Sequence, residues 1–183
     1  TNLLIAQAAE LSGDLNKATK TYKSLIQNPQ TRFVGLRGIL KQKLAEGQTD
    51  IAIKIAKEAF SIKPTHTETQ DILLQLQAEL GDWRGARKTL GAKFKTGSIP
   101  KDIHRRRDAV LALAEAKDLL NEEASIEQQE AAIEANRLSP DLVPAAVLAA
   151  RAYIQRGNAR NAIRIVNKAC LLYTSDAADD GLS

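Results

Sequence analysis

Hydrophobic and polar residues along this chain recur with the three- and four-residue spacing of amphipathic α-helices, interrupted by short polar turns. Ala52, Ala56 and Ala59 illustrate the pattern, because this spacing places all three on one face of a helix. The pattern predicts ten helices, at about residues 1–12, 15–28, 31–46, 48–62, 66–80, 83–94, 102–121, 125–138, 141–156 and 158–170.

The turns between these helices recur at a fixed interval. The glycines that mark them are Gly13, Gly47, Gly81 and Gly157. The first two intervals are equal, and the third is two such periods plus an insertion of eight positions. A further turn at Glu123 places this insertion within Phe94–His104, where Gly97 and Pro100 indicate a loop.

Residues that follow each turn repeat as well. Five residues after the turn stand Ala18, Ala52, Ala86, Gln128 and Ala162, and twelve residues after it stand Leu25, Ala59, Lys93, Ala135 and Ala169. Small residues at such positions let two antiparallel helices approach closely. The pattern and its period resemble the tetratricopeptide (TPR) repeat, a helix–turn–helix unit of about 34 residues. We therefore expect an all-α, TPR-like α-solenoid of about five repeats over residues 1–170, with Gln128 and Lys93 as departures.

Composition narrows the class of protein further. Ala and Leu make up 52 of the 183 residues and aromatic residues only 4%, which favours helices over a β-sandwich or barrel. A lone Cys excludes an internal disulfide framework. No run of apolar residues approaches the length of a membrane span, so we expect the fragment itself to be soluble.

Catalytic motifs are missing from the sequence. It contains no phosphate-binding Gly-rich loop, no CxxC pair and no nucleophile elbow. Its two histidines, His66 and His104, lie in different repeats without metal-ligand spacing. We therefore predict a protein that is not an enzyme and holds no metal. His66 is most simply explained as a residue near a helix start, within the capping box Thr65–Glu68.

Basic residues are concentrated in one part of the chain. Nine Lys or Arg residues stand between Arg84 and Arg107 against one acidic residue, Asp102. The run His104, Arg105, Arg106 and Arg107 could bind an anion, such as a phosphate, the propionates of haem or an acidic partner. The alternative is a solvated loop and helix start without a ligand. Otherwise we expect no cofactor.

A second candidate site lies on the first helix of each repeat, which lines the concave groove of superhelical TPR arrays. Six residues before each turn stand Gln7, Lys41, Gln75, Lys117 and Arg151, and Arg37 precedes Lys41 by one helical turn. Val34, Val110, Leu113, Val147 and Ile154 would form an apolar floor. Such a groove suits an acidic peptide or a C-terminal carboxylate. The alternative is an ordinary polar solenoid surface.

The last thirteen residues, 171–183, break the repeat. Thr174 stands where a helix-ending Pro would be expected, and the segment contains three acidic residues, Asp176, Asp179 and Asp180. The segment resembles a translated sequencing-library adapter. A genuine frayed tail is the alternative. We expect it to be disordered and assign it no function.

Four stretches carry a more specific likeness than the repeat alone. They are Phe33–Ile39, Gly81–Trp83 with Ala86 and Leu90, Arg105–Ala116, and Leu138–Ala146. In this order they resemble the C-terminal TPR region of HemY-type haem-biogenesis proteins of proteobacteria. The resemblance implies a non-enzymatic scaffold for enzymes of late haem synthesis. It also implies a cytoplasmic position at the bacterial inner membrane, through an N-terminal anchor that is absent from these residues.

Two classes of function remain open. One is the haem-biogenesis scaffold, with protein partners and possible contact with haem. The other is a generic TPR adaptor for another bacterial envelope or assembly complex. Nucleic acid is disfavoured as a partner, because the seven aromatic residues do not interleave with the basic ones as stacking platforms would.

Overall fold

The computed structural model describes residues 2–119 and 125–179, with side chains described as far as residue 172. The described residues form α-helices joined by short turns, without a β-strand among them. The helices are α1 (Asn2–Leu11), α2 (Leu15–Ile26), α3 (Arg32–Ala45), α4 (Thr49–Ile62), α5 (Thr67–Glu79), α6 (Trp83–Lys95), α7 (Lys101–Asp118), α8 (Ile126–Leu138), α9 (Val143–Gln155) and α10 (Ala159–Asp179). All the predicted helices are present, with most ends close to the predicted positions.

Each predicted turn glycine occupies the left-handed region of backbone space, which only glycine adopts readily. The φ values of Gly13, Gly47, Gly81 and Gly157 are 79°, 68°, 70° and 71°. The residue after the glycine then starts the next helix. Asp14, Asp82 and Asn158 each accept a hydrogen bond from the backbone N–H three residues later, as N-caps do. The glycine–cap dipeptide therefore sets the repeat period.

Burial follows the predicted repeat positions. The side chains five residues after each turn are all buried: Ala18, Ala52, Ala86, Gln128 and Ala162. The same holds twelve residues after it, for Leu25, Ala59, Lys93, Ala135 and Ala169. Gln128 and Lys93, the two polar residues at these repeat positions, are therefore buried like the apolar ones. The Oε1 atom of Gln128 has no hydrogen-bond partner among the described residues. These features place the chain in the predicted fold class, an all-α array of TPR-like repeats.

The chain divides into two compact units, Thr1–Leu80 and Gly81–Ser183. In the first unit, α1 to α5 pack in sequence, each against the next. One core cluster joins α1, α2 and α3 around Tyr22, and another joins α3, α4 and α5 around Ala56.

In the second unit, α6 to α10 also pack in sequence, and α7 additionally contacts α9. The core of this unit is built from small residues of α7 and α8 that receive Ala145 and Leu148 of α9. The predicted turn at Glu123 lies outside the described residues.

Two local predictions are wrong. The helix predicted to end at residue 170 continues to Asp179, so residues 171–179 are helical rather than disordered. The cap of α5 is His66 and not Thr65: His66 Nδ1 accepts from the N–H of Thr69, which a neutral imidazole can do. The foreign origin of the tail stays a prediction, and residues 180–183 lie outside the described residues.

Candidate partner-binding surfaces

The five positions six residues before the turns are exposed throughout. Gln7, Lys41 and Gln75 lie on α1, α3 and α5 of the first unit, and Lys117 and Arg151 lie on α7 and α9 of the second. Exposure at the same repeat position agrees with a binding face on the first helix of each pair. That all five line one groove stays a prediction.

In the first unit, the basic residues predicted to bind a partner are paired internally. Arg37 and Lys41 of α3 both contact the carboxylate of Glu68 in the first turn of α5, with Lys41 Nζ 3.7 Å from Glu68 Oε1. Burial opposes ionisation of Glu68, but the hydrogen bond and charge of Arg37, with Lys41, hold its pKa below the usual value. Gln75 Nε2 donates to Glu79 Oε1 at 2.8 Å. This surface is therefore closer to neutral than the sequence pattern indicated.

Beside this ion pair lies an aromatic contact. The rings of Phe33 and His66 meet edge to face at a centroid distance of 5.0 Å, and Lys63 Nζ lies 5.5 Å from the Phe33 ring centre. Burial lowers the pKa of His66, and the charges of Arg37 and Lys63 lower it further against an opposing effect of Glu68. A neutral His66 is consistent with its role as the cap of α5. The cluster joins α3 to α5 and serves the fold.

In the second unit, much of the predicted basic cluster is neutralised by acidic residues of α7 and α8. Arg84 donates to Glu115 at 2.7 Å and to Glu127 at 3.1 Å. Arg87 donates to Asp108 at 2.5 Å and lies 3.7 Å from Glu134. These pairs connect α6 with the two helices that follow it, so the arginines hold helices together.

The run from His104 to Arg107 does not converge on one ligand position, because successive residues of a helix point about 100° apart. The His104 ring stacks on Phe94 at a centroid distance of 4.5 Å. Arg105 donates to the carbonyl oxygen of Leu138. Arg106 donates to Ser139 Oγ and, at 2.6 Å, to Asp141 Oδ2.

Two of the three arginines in this run already contact other parts of the chain. Arg105 and Arg106 both tie the start of α7 to the junction between α8 and α9, whereas Arg107 forms no ion pair with a described residue. The predicted anion or haem contact stays a prediction.

Exposed cationic and apolar residues of α7 and α9 also occur on the second unit. These two helices contact each other. Val110 is 47% exposed and Ile154 is 62% exposed. Their neighbours along the helices, Arg107, Lys117 and Arg151, are exposed too, and none of the three forms an ion pair with any residue the structure describes. We call these five residues the α7–α9 face.

Two members of the predicted apolar floor lie elsewhere. Leu113 is 7% exposed and belongs to the core between α7, α8 and α9. Val34 packs against the core of the first unit. Leu113 stands at the same repeat position as the exposed Val147, and Val34 at that of the exposed Val110. Repeat position alone therefore does not decide burial at these sites, because burial also depends on which helix packs over them.

The described residues offer little else that could support chemistry. They contain no cluster of three or more His, Cys, Asp or Glu side chains placed to hold a metal ion. No helix among them has the length and apolar character to cross a membrane. Cys170 is exposed and forms no disulfide.

Comparisons with known proteins find only distant structural similarities. No protein-family model matches the chain, and no curated protein matches it significantly. A crystal structure of MamA is similar over 97% of this chain and 92% of that one, at 17% identity and a TM-score of 0.49. YrrB, described as a TPR protein with an unusual peptide-binding site, is similar over 93% and 84%, at 14% identity and a TM-score of 0.45.

A third solved structure, MamA from Desulfovibrio magneticus RS-1, is similar over 95% of this chain and 94% of that one, at 14% identity and a TM-score of 0.41. Likenesses of this size carry no argument about function, and the fold class rests on the helices and the repeat phasing described above. The comparisons give no support to the HemY resemblance or to an adapter origin of the tail.

Proposed function

We propose that this chain is a non-enzymatic protein-interaction module that binds acidic segments of partner proteins through the α7–α9 face. The observation that carries the proposal is the chemistry of that face. It combines exposed apolar residues, Val110 and Ile154, with three cations that have no carboxylate partner among the described residues.

Energetics favour a partner with both apolar and acidic side chains. Exposed valine and isoleucine gain free energy when a partner covers them, because apolar surface leaves water. Unpaired Lys117 and Arg151 can each donate charge-assisted hydrogen bonds to a carboxylate. In contrast, Arg37 and Lys41 of the first unit would first have to release Glu68. The second unit is therefore the better candidate for binding.

A selection experiment tests this proposal directly. Peptides that bind the immobilised full chain are selected from a random library, and their affinities are measured by fluorescence anisotropy. We expect sequences that combine Asp or Glu with apolar residues. The double variant Lys117→Glu with Arg151→Glu is expected to weaken them about tenfold or more, because two charge-assisted contacts become repulsive.

The matched control is Lys88→Glu with Arg160→Glu, which changes the net charge equally at exposed positions outside the face. We expect it to leave affinity within about twofold, since its effect is limited to screened long-range attraction. Equal weakening by both pairs would mean that only net charge matters and would contradict the proposal. So would full affinity in the Lys117→Glu, Arg151→Glu variant with an unchanged circular dichroism spectrum.

A narrower form of the proposal identifies the partners as enzymes of late haem biosynthesis at the bacterial inner membrane. Its support is the resemblance of the four sequence stretches to HemY-type proteins. Purified enzymes of that pathway are passed over the immobilised chain and over the Lys117→Glu, Arg151→Glu variant. If the unchanged chain retains the enzymes and the variant does not, the narrower proposal is supported. If neither protein retains them, the narrower proposal is wrong and the alternative is left, an adaptor for another envelope or assembly complex.

A further inference from the structure

An apolar groove of about 440 Å³ runs between α9 and α10. Its lining is formed by Val143, Ala146, Val147, Val166, Ala169 and Cys170. Val143, Val147 and Val166 are 41%, 44% and 44% exposed. Three half-exposed valines side by side are a large apolar surface to leave in water.

The residues of this groove correspond to residues that are buried one repeat period earlier. Ala146 and Val147 stand one repeat period after Ala112 and Leu113 of α7. Val166 and Ala169 stand one repeat period after Ala132 and Ala135 of α8. The four earlier residues are buried, at 7% exposure or less. The α9–α10 groove is therefore the repeat equivalent of the surface between α7 and α8.

The surface between α7 and α8 is covered by a helix, α9. Ala145 and Leu148 of α9 complete the core cluster that α7 and α8 form, and Leu142 packs against its edge. The same arrangement recurs in the first unit, where Leu73 and Leu76 of α5 cover Ala52 and Ala56 of α4. An amphipathic helix is thus the shape that such a surface accepts in this chain.

Charge indicates which kind of helix fits the α9–α10 groove. From Val143 to Leu172 the sequence holds five Arg or Lys residues and no Asp or Glu. Arg151 is exposed one helical turn beyond Val147 on α9. A helix that approaches this hairpin therefore enters a positive potential, which attracts acidic side chains and repels basic ones.

We infer that the α9–α10 groove binds an acidic amphipathic helix supplied by a partner protein. The helix inserts apolar residues with the spacing of Leu142, the N-cap of α9, and of Ala145 and Leu148 within α9, which lie three residues apart. Its outward positions carry Asp or Glu. Such a partner buries the exposed valines and meets the Arg and Lys residues of the hairpin.

The probe is a fluorescent peptide that reproduces residues 141–155 with Glu at three outward positions, those of Val147, Arg151 and Ile154. A second peptide carries an additional Glu at the position of Leu148. Binding to the full 183-residue chain is measured by anisotropy. We expect saturable binding of the first peptide and an affinity at least about tenfold lower for the second, because its apolar face is interrupted.

Two variants of the chain locate the site. Val166→Asp is expected to weaken the peptide about tenfold or more by placing a carboxylate in the groove. The matched control, Ile51→Asp, changes a residue of similar exposure on α4 of the first unit, outside both proposed binding surfaces, and is expected to stay within about twofold. Both residues are exposed, so both variants should keep the circular dichroism spectrum of the unchanged chain.

Each contrary result identifies a different error. Absence of peptide binding, or equal weakening by both variants, overturns the inference. Sedimentation that shows self-association abolished by Val166→Asp identifies a second copy of the chain as the occupant. Binding to anionic lipid vesicles that Val166→Asp abolishes identifies a membrane surface. Both of these results also overturn the inference, whereas a failed peptide selection at the α7–α9 face leaves it intact.

Discussion

The ring of Tyr22 on α2 occupies the space in which a side chain of Gly38 on α3 would lie. Tyr22 is buried, and burial, together with the hydrogen bond and charge of Glu10, raises its pKa to about 12. One turn earlier, a Cβ atom at Gly35 would come within 2.7 Å of the carbonyl oxygen of Tyr22 and 2.9 Å of the backbone nitrogen of Ile26. The two glycines thus let the backbones of α2 and α3 approach each other.

Gly38→Ala is therefore expected to destabilise the protein by about 1–3 kcal/mol, because the added methyl group overlaps a buried ring. The control is Gly91→Ala on α6, where an added Cβ meets no atom within 4 Å. There the change should stabilise by about 0.5–1 kcal/mol, since alanine favours the helix over the unfolded chain. Urea denaturation of both variants measures the change in the free energy of unfolding. Equal effects in the same direction would contradict the close packing of α2 against α3.

Ala56→Leu tests the repeat phasing in a second place. Ala56 is fully buried between Leu40, Leu73 and Leu76. Three additional carbon atoms have no room there, and we expect a loss of about 1–3 kcal/mol in the free energy of unfolding. Ala45→Leu, at an exposed position at the end of α3, should stay within about 0.5 kcal/mol. A neutral Ala56→Leu variant would show that α4 and α5 are further apart than described.

Because a histidine caps α5, we expect the stability of the folded protein to depend on pH. His66 Nδ1 accepts a hydrogen bond from the N–H of Thr69, and protonation removes that acceptor. Because the pKa of His66 is lowered in the folded state, its contribution is complete above the unfolded value of about 6.5 and is lost as pH falls through the folded value. The nearby charges of Arg37 and Lys63 act in the same direction, and Glu68 opposes them.

His66→Asn should keep a capping acceptor while removing the titration, so its stability should change less than that of the unchanged chain between pH 7 and about pH 5. His66→Ala should lose about 0.5–2 kcal/mol at pH 7, the usual value of a lost cap. Thermal melts across this pH range check both expectations. An unchanged pH profile in His66→Asn would mean that His66 is not the group responsible.

Helix positions could be predicted from the sequence because the determinants are local. Gly13, Gly47, Gly81 and Gly157 have positive φ at the end of a first helix, and an Asp or Asn after three of them caps the next helix, so the period is visible in the residues themselves. Burial then follows from helical spacing. The cap at His66 was misassigned because histidine is an uncommon capping residue, and only the structure places its Nδ1 atom toward Thr69.

The candidate site was harder to predict because its charges pair across helices. The basic cluster was counted from Arg84 to Arg107, and Asp108, the partner of Arg87, is the next residue. Glu115, the partner of Arg84, lies 31 residues along the chain. Pairing at such separations depends on helix packing, which periodicity does not define. The same limit applies to Arg37, Lys41 and their shared partner Glu68.

Haemin titration tests the remaining prediction for His104. Since this ring stacks on Phe94, and Arg105 and Arg106 donate to the α8–α9 junction, we expect identical Soret spectra for the chain and its His104→Ala variant. An absorbance band lost specifically in the variant would show that His104 is a haem ligand. That result would show that the chain binds haem. Arg105 and Arg106 would then have to leave their present partners to contact its propionates.

Photo-crosslinking to a selected acidic peptide tests most directly whether the α7–α9 face is the partner-binding surface. A crosslinking amino acid is placed at Val110, which is 47% exposed on α7, and separately at Ile126, which is 71% exposed on α8. We predict efficient crosslinking at Val110 that unlabelled peptide competes away, and only background crosslinking at Ile126. Crosslinking that is equal at the two positions, or confined to Ile126, would contradict the proposed binding face.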